Sequence, residues 1–127
     1  MSDSEYVFRP EDLQSADENL RRFAIIHISK ERLTDFENHL VEMMATEQSY
    51  ANRRHIVRAL GKIGTARSIG LLLGILSEPD GLILGDAAQA LGRLRVPDAV
   101  GRLQELTASR VEWIAGQARW ALSQTPR

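Results

Sequence analysis

Three histidines, His27, His39 and His55, are the side chains of this sequence best suited to hold a metal or relay a proton, and none has another histidine three or four residues away. A helix-borne zinc site needs such a pair on one face, as in HExxH, and no such motif occurs. Serines, histidines and aspartates are scattered, with no nucleophile elbow to expose a hydroxyl for attack. Glu42 and Glu47 read as part of a solvated helix face rather than as an acid/base pair. The stretch "GKIG" (Gly61 to Gly64) is no phosphate-binding loop; it reads as a helix end, with Gly64 as a left-handed cap. The chain has no cysteine, which excludes thiol nucleophiles, disulfides and thiolate metal sites. The expectation is therefore a non-enzymatic protein without catalytic residues, cofactor or metal.

Charge narrows the partner class. The net charge is −1. The first twenty residues hold Asp3, Glu5, Glu11, Asp12, Asp17 and Glu18 against Arg9 alone, so the remainder is mildly basic. An excess this small is not the footprint of a nucleic-acid binder. The N-terminus has no apolar h-region, and the run "IGLLLGIL" (Ile69 to Leu76) is far short of the roughly 18–20 residues that span a membrane. Those features and the absence of cysteine lead to the expectation of a cytoplasmic protein. With 43% hydrophobic and 26% charged residues, 127 residues suffice for a single packed domain.

The elements that would position any functional side chain are written as a repeat. "RALGKIG" at 58–64 returns as "QALGRLR" at 89–95 and fades into "WALSQ" at 120–124, so Ala59-Leu60, Ala90-Leu91 and Ala121-Leu122 recur every 31 residues. A fainter first copy aligns Arg21–Lys30 with Arg53–Lys62 at an offset of 32. Ile56, Ala59, Leu60 and Ile63 follow the i, i+3, i+4, i+7 spacing of one buried helical stripe, as do Ala87, Ala90, Leu91 and Leu94, and Ile69, Leu72, Leu73 and Leu76. Seven helices are expected, near 15–30, 33–47, 50–63, 66–77, 82–95, 97–108 and 110–124, with no strand. Ser15/Glu18, Thr34/Glu37 and Ser109/Glu112 have capping-box spacing, and Pro97 suits a first helical turn. Residues 1–14 read as a flexible acidic lead-in in which Tyr6, Val7 and Phe8 can dock on the first repeat, and 15–127 as one repeat domain. Two short helices cannot bury their apolar faces alone, so the copies must stack. Ala59, Ala90, Ala121, Gly61 and Gly92 are small enough for close approach, and Gly70 and Gly74 suggest another tight helix crossing.

The phrase "RRHIVRALGKIGTARSIGLLLGILSEPD" (53–80) resembles the HEAT-like repeat, in the short bacterial form named after phycobilisome lyase subunits, and the likeness extends over roughly residues 20 to 125. The family's Arg at the start of the second helix is present as Arg22 and as Arg53 or Arg54, but Leu84-Gly85 and Ala115-Gly116 replace it later. Its Pro/Asp turn survives only as Pro79-Asp80. The resemblance implies an all-α, right-handed α-α superhelix of about three and a half hairpins. It also implies a concave face lined by the ALG helices, where partners bind. Carried over position by position, that face comprises Arg22, Ile26 and Lys30; Arg54, Arg58 and Lys62; Gln89 and Arg93 beside Gly85; and Trp120 and Gln124 beside Gly116. The implied partner is another protein with an acidic or mixed segment, its carboxylates held by arginine forks. Adaptor, assembly factor and immunity-type inhibitor all fit. Reversing the charges of Arg54, Arg58 and Lys62 is expected to abolish capture without affecting folding. Trp120 is open to a second reading, packed with Trp113 over the C-terminal end of the core. The resemblance also allows a chromophore lyase subunit or its partner, acting on linear tetrapyrroles, and a DNA glycosylase of the HEAT-like kind. A homo-oligomer extending the stack is a further alternative.

Overall fold

A computed structural model describes residues 2, 5–78 and 81–125. Among them are seven α-helices and no strand: α1 (Glu18–Glu31), α2 (Glu37–Met43), α3 (Tyr50–Ile63), α4 (Ala66–Leu76), α5 (Ile83–Arg93), α6 (Val100–Leu106) and α7 (Glu112–Gln124). Short 3-10 turns at Thr34–Phe36 and Pro97–Ala99 lead into α2 and α6. The second of them begins at the proline whose fixed φ suits a first turn. The Pro79-Asp80 turn lies outside the described residues.

The helices form two rows. α1, α3, α5 and α7 lie side by side, each touching the next, while α2, α4 and α6 pack chiefly on the following member of that row, α3, α5 and α7. Equivalent repeat positions build the core. Ile28, Leu60 and Leu91 in the first row and Leu40, Leu72 and Leu103 in the second are all 0% exposed. Each such burial contributes roughly 1.5–3 kcal/mol relative to exposure, and the 31-residue phrase exists to supply it in every layer.

Close approach comes from two glycines. A Cβ on Gly61 would lie 2.7 Å from Ala90 Cα, and one on Gly92 would lie 2.7 Å from Ala121 Cα, so glycine is what lets α3 meet α5 and α5 meet α7. Gly70 and Gly74 behave otherwise. Nothing lies within 4 Å of a Cβ added at either, so the expected tight crossing is absent and both sit on the outer surface of α4.

The helix ends also differ from expectation. Gly64 has φ −73° and ψ 153°, an extended rather than left-handed conformation; its lack of a side chain leaves room for Ser68, whose Cβ would be 2.8 Å from a Gly64 Cβ. The left-handed positions are Arg32 (φ 51°), Arg95 (φ 54°) and Gly81 (φ 107°). None of the three capping boxes forms. Asp17 caps α1 by accepting from the Asn19 amide, while Ser15 and Ser109 cap only local turns, accepting from the Asp17 and Val111 amides. Ser49 caps α3 through the Asn52 amide. Neighbouring repeats supply further caps. Glu37 of α2 accepts from the Thr65 amide (2.6 Å) and the Ser68 hydroxyl (2.5 Å) at the start of α4. Arg53 donates to Met44 O (2.7 Å) and Arg102 to Leu76 O (3.0 Å), satisfying carbonyls at helix C-termini.

The lead-in is docked through its aromatic residues. The Tyr6 ring stacks on Phe23 (centroids 5.5 Å) and the Phe8 ring on His27 (4.7 Å), with Phe36 edge-on to Phe8 at 5.4 Å. Tyr6 donates its hydroxyl to the nearly buried Asp12 (2.9 Å), and Leu13 enters the core. Val7, between the two rings, is 77% exposed because an extended chain turns alternate side chains to opposite faces. These rings cover the side of α1, at Phe23 and His27, that is turned away from α3.

Candidate functional site: a cationic groove on the first helix row

On α3 the i, i+4, i+8 spacing turns Arg54, Arg58 and Lys62 to the side opposite the buried stripe. Their environments differ. Asp86 of α5 is 0% exposed and accepts from Arg54 Nε at 2.6 Å and Arg58 Nε at 2.8 Å. The Arg54 guanidinium also lies 5.2 Å from the centre of the Trp113 ring. That ring covers Gly85, where any Cβ would collide with it. The missing arginine of the third repeat thus has a physical role: the glycine makes space for Trp113, and the preceding repeat's Arg54 fills the position above. Arg54 and Arg58 therefore neutralise a buried carboxylate, and reversing them would leave Asp86 without compensation. The expectation that this change spares folding is corrected accordingly.

The groove itself, about 440 Å³, is lined by Ile26, Ser29 and Lys30 of α1, His55, Arg58 and Lys62 of α3, Gln89 and Arg93 of α5, and Trp113 and Gln117 of α7. Among the described residues no carboxylate lines it. Lys30, Lys62 and Arg93 make no ion pair or side-chain hydrogen bond with any described residue. His55 is half-buried, and burial, followed by the nearby Arg58 and Arg22 charges, lowers its pKa below the usual imidazole value. Six of the ten residues carried over from the resemblance meet here: Ile26, Lys30, Arg58, Lys62, Gln89 and Arg93.

The other four lie elsewhere. Arg22 is engaged, donating Nε to the buried Asn52 at 2.8 Å, Nη2 to Glu18 and Ser49, and Nη1 to Asn19. Arg54 is held by Asp86 and Trp113 as described. Trp120 is 39% exposed and packs over Gly92, and Gln124 is half-buried and is not among the residues that line the groove. Trp113, not Trp120, is the groove's aromatic. His55 and Gln117 were legible in principle, since they occupy one repeat position, directly after the Arg54/Gly85/Gly116 column. Asp86 stands between them in that column and turns into the α3–α5 seam instead.

Glu47 also departs from its sequence reading. It is buried, receives Arg21 through two 2.8 Å hydrogen bonds, and accepts from the Ser49 amide and Asn52 side chain. Arg21 above all holds its carboxyl down to about 2, against the opposing effect of burial. This network joins α1 to α3 and leaves Glu47 no proton to exchange near neutrality. Among the described residues no group of three or more His, Asp or Glu is placed to hold a metal. No described helix is long and apolar enough to cross a membrane.

Two rows of short helices, repeating positions and inter-repeat caps define an α-solenoid with a cationic groove on its first row. The chain belongs to the HEAT-repeat family, whose pattern matches residues 11–80 and 37–123. Among solved structures it is similar to the complex of CpcE and CpcF of phycocyanin lyase from Nostoc sp. PCC7120, with a TM-score of 0.66 and 22% identity over 94% of this chain and 65% of that one. At that identity the likeness speaks for the shared fold, and the present chain spans about two thirds of that chain's length. No curated protein matches the sequence.

Proposed function

We propose that the chain is a non-catalytic protein-interaction module that binds an acidic segment of another protein along the α1–α3–α5–α7 face. One observation carries this reading: Lys30, Lys62 and Arg93, from three successive repeats, converge on a single groove with no carboxylate among its described lining residues. Solvated cations on a lone helix need no partner. Unpaired cations gathered in a concavity raise the local potential and attract anions. Adaptor, assembly factor and inhibitor are all forms of this role. The test compares wild type with a Lys30→Glu, Lys62→Glu, Arg93→Glu variant as baits in native lysate. Proteins retained by wild type should be lost from the variant, with helicity and melting unchanged. Equal retention would place the binding surface elsewhere.

A second reading, a subunit or partner of a chromophore lyase, is favoured by the likeness to the CpcE–CpcF complex. Its test is spectroscopic. Mixing the protein with free bilin, with and without a phycobiliprotein, should sharpen or red-shift the absorption band; an unchanged spectrum removes this role.

A further inference from the structure

Tyr6 closes a small cleft against Phe23, Ile26, His27 and Lys30. Ile26 and Lys30 also line the cationic groove, so the docked lead-in and the groove share one edge of α1. Two residues later Phe8 meets Phe36, in the turn that leads into α2. Followed backwards from Phe8 to Tyr6, the lead-in therefore crosses α1 from the second helix row to the groove. The residues before Tyr6 start at the groove's α1 edge.

Those residues are acidic. Asp3 and Glu5 are the only charged side chains among the first eight residues. Asp3 lies outside the described residues. Glu5 is exposed, accepts from the Ser2 amide at 3.4 Å, and pairs with no described cation. The lead-in's own cation, Arg9, is taken by Glu11 at 3.0 Å. Lys30, on the far side of the cleft, has no acid among the described residues either. An anion and a cation, neither of them neutralised by a described residue, thus flank Tyr6.

Docking of the two rings turns this placement into a tether. An extended chain spans at most about 3.3–3.6 Å per residue, so Glu5 and Asp3 stay within roughly 4 and 11 Å of the Tyr6 backbone. Such short tethers give effective concentrations in the millimolar range. A free acidic segment has to compete with that local supply of carboxylate. Exposed ion pairs are individually weak, so the tail tunes affinity and does not abolish it.

Resting on the interaction-module reading above, we propose that Asp3 and Glu5 form a built-in competitor, held at the α1 end of the groove by Tyr6 and Phe8. They pair with Lys30 and lower the groove's affinity for an acidic partner.

The chain suits a direct test, because its only two lysines, Lys30 and Lys62, both line the groove. A water-soluble carbodiimide joins a carboxylate to an amine only where the two touch. At low salt it should couple Asp3 or Glu5 to Lys30 within one chain, as read by peptide mass spectrometry. The product should fall away in 0.5 M salt and in a Lys30→Arg variant. In parallel, the anisotropy of a labelled tetraglutamate peptide should show about two- to fivefold tighter binding to an Asp3→Asn, Glu5→Gln variant than to wild type. Tail carboxylates that couple to added glycine methyl ester but never to Lys30 would overturn the proposal, and so would equal peptide affinities. Peptide binding without the cross-link would remove the competitor and leave the acidic groove standing. If neither protein binds the peptide, the acidic-segment reading fails and the competitor falls with it.

Discussion

Arg54 and Asp86 meet across the α3–α5 seam at 2.6 Å, and the two ends of that bond are unequal: Asp86 is 0% exposed, whereas the Arg54 side chain is 20% exposed. Removing the arginines strands a buried carboxylate. Removing the aspartate leaves cations that can turn to water. Arg54→Ala with Arg58→Ala should therefore cost about 3–5 kcal/mol, and Asp86→Ala clearly less. Arg58→Ala alone should be milder still, since Arg54 remains. Urea unfolding of the variants checks the order, and equal losses would contradict it.

Glycine-to-alanine changes should split in sign by repeat position. At Gly61 and Gly92 the new methyl would lie 2.7 Å from a Cα of the next helix, so each change should destabilise by about 1–3 kcal/mol despite alanine's better helix propensity. At Gly70 and Gly74 nothing lies within 4 Å, and the same change should stabilise by up to about 1 kcal/mol. Thermal melts of the four single variants decide the matter.

The aromatic lead-in should matter through alternate residues. Phe8→Ala removes the stack on His27 and the edge contact with Phe36, and should cost about 1–3 kcal/mol. Val7→Ala, at a site 77% exposed, should change stability by less than about 0.5 kcal/mol. Comparable effects in both would mean the lead-in is not docked in solution.

Acid should loosen the α1–α3 seam. The folded pKa of Glu47 is about 2 against an ordinary 4.5, so its contribution is present above about 4.5 and lost as pH falls toward 2. Glu47→Gln should flatten the stability profile in that window and lower stability at neutral pH. A variant whose acid limb matches wild type would show that Glu47 does not carry it.

Binding in the groove should take up a proton. Burial and the Arg58 and Arg22 charges lower the His55 pKa, with Arg54 adding to them and only Asp86 opposing. An anion seated nearby offsets those cations and favours the charged imidazole. Affinity for an acidic peptide should rise as pH falls below the ordinary imidazole value of about 6.5, and His55→Gln should remove that slope. Calorimetry in two buffers of different ionisation enthalpy measures the proton directly.

The repeat, the helical hairpins and their buried stripes are legible in the order of residues, because a stripe such as Ile56, Ala59, Leu60 and Ile63 depends only on helical periodicity and on the need to hide it. The Gly61–Ala90 and Gly92–Ala121 contacts are legible for the same reason, since equivalent small residues in equivalent helices must meet once copies stack. Charges obey no such local rule. Arg54 and Arg58 find Asp86 at separations of 32 and 28 residues, and Arg21 finds Glu47 at 26. Lys62, spaced like those arginines on the same helix, meets no acid among the described residues. Only the stacking of repeats decides which cations neutralise buried carboxylates and which stay free in the groove. The same holds for helix starts, where Glu37 had the spacing to cap its own helix but caps α4, because burial between α2 and α4 brings it three better donors. Local pattern sets what must be hidden; the three-dimensional assembly alone assigns each polar group its partner.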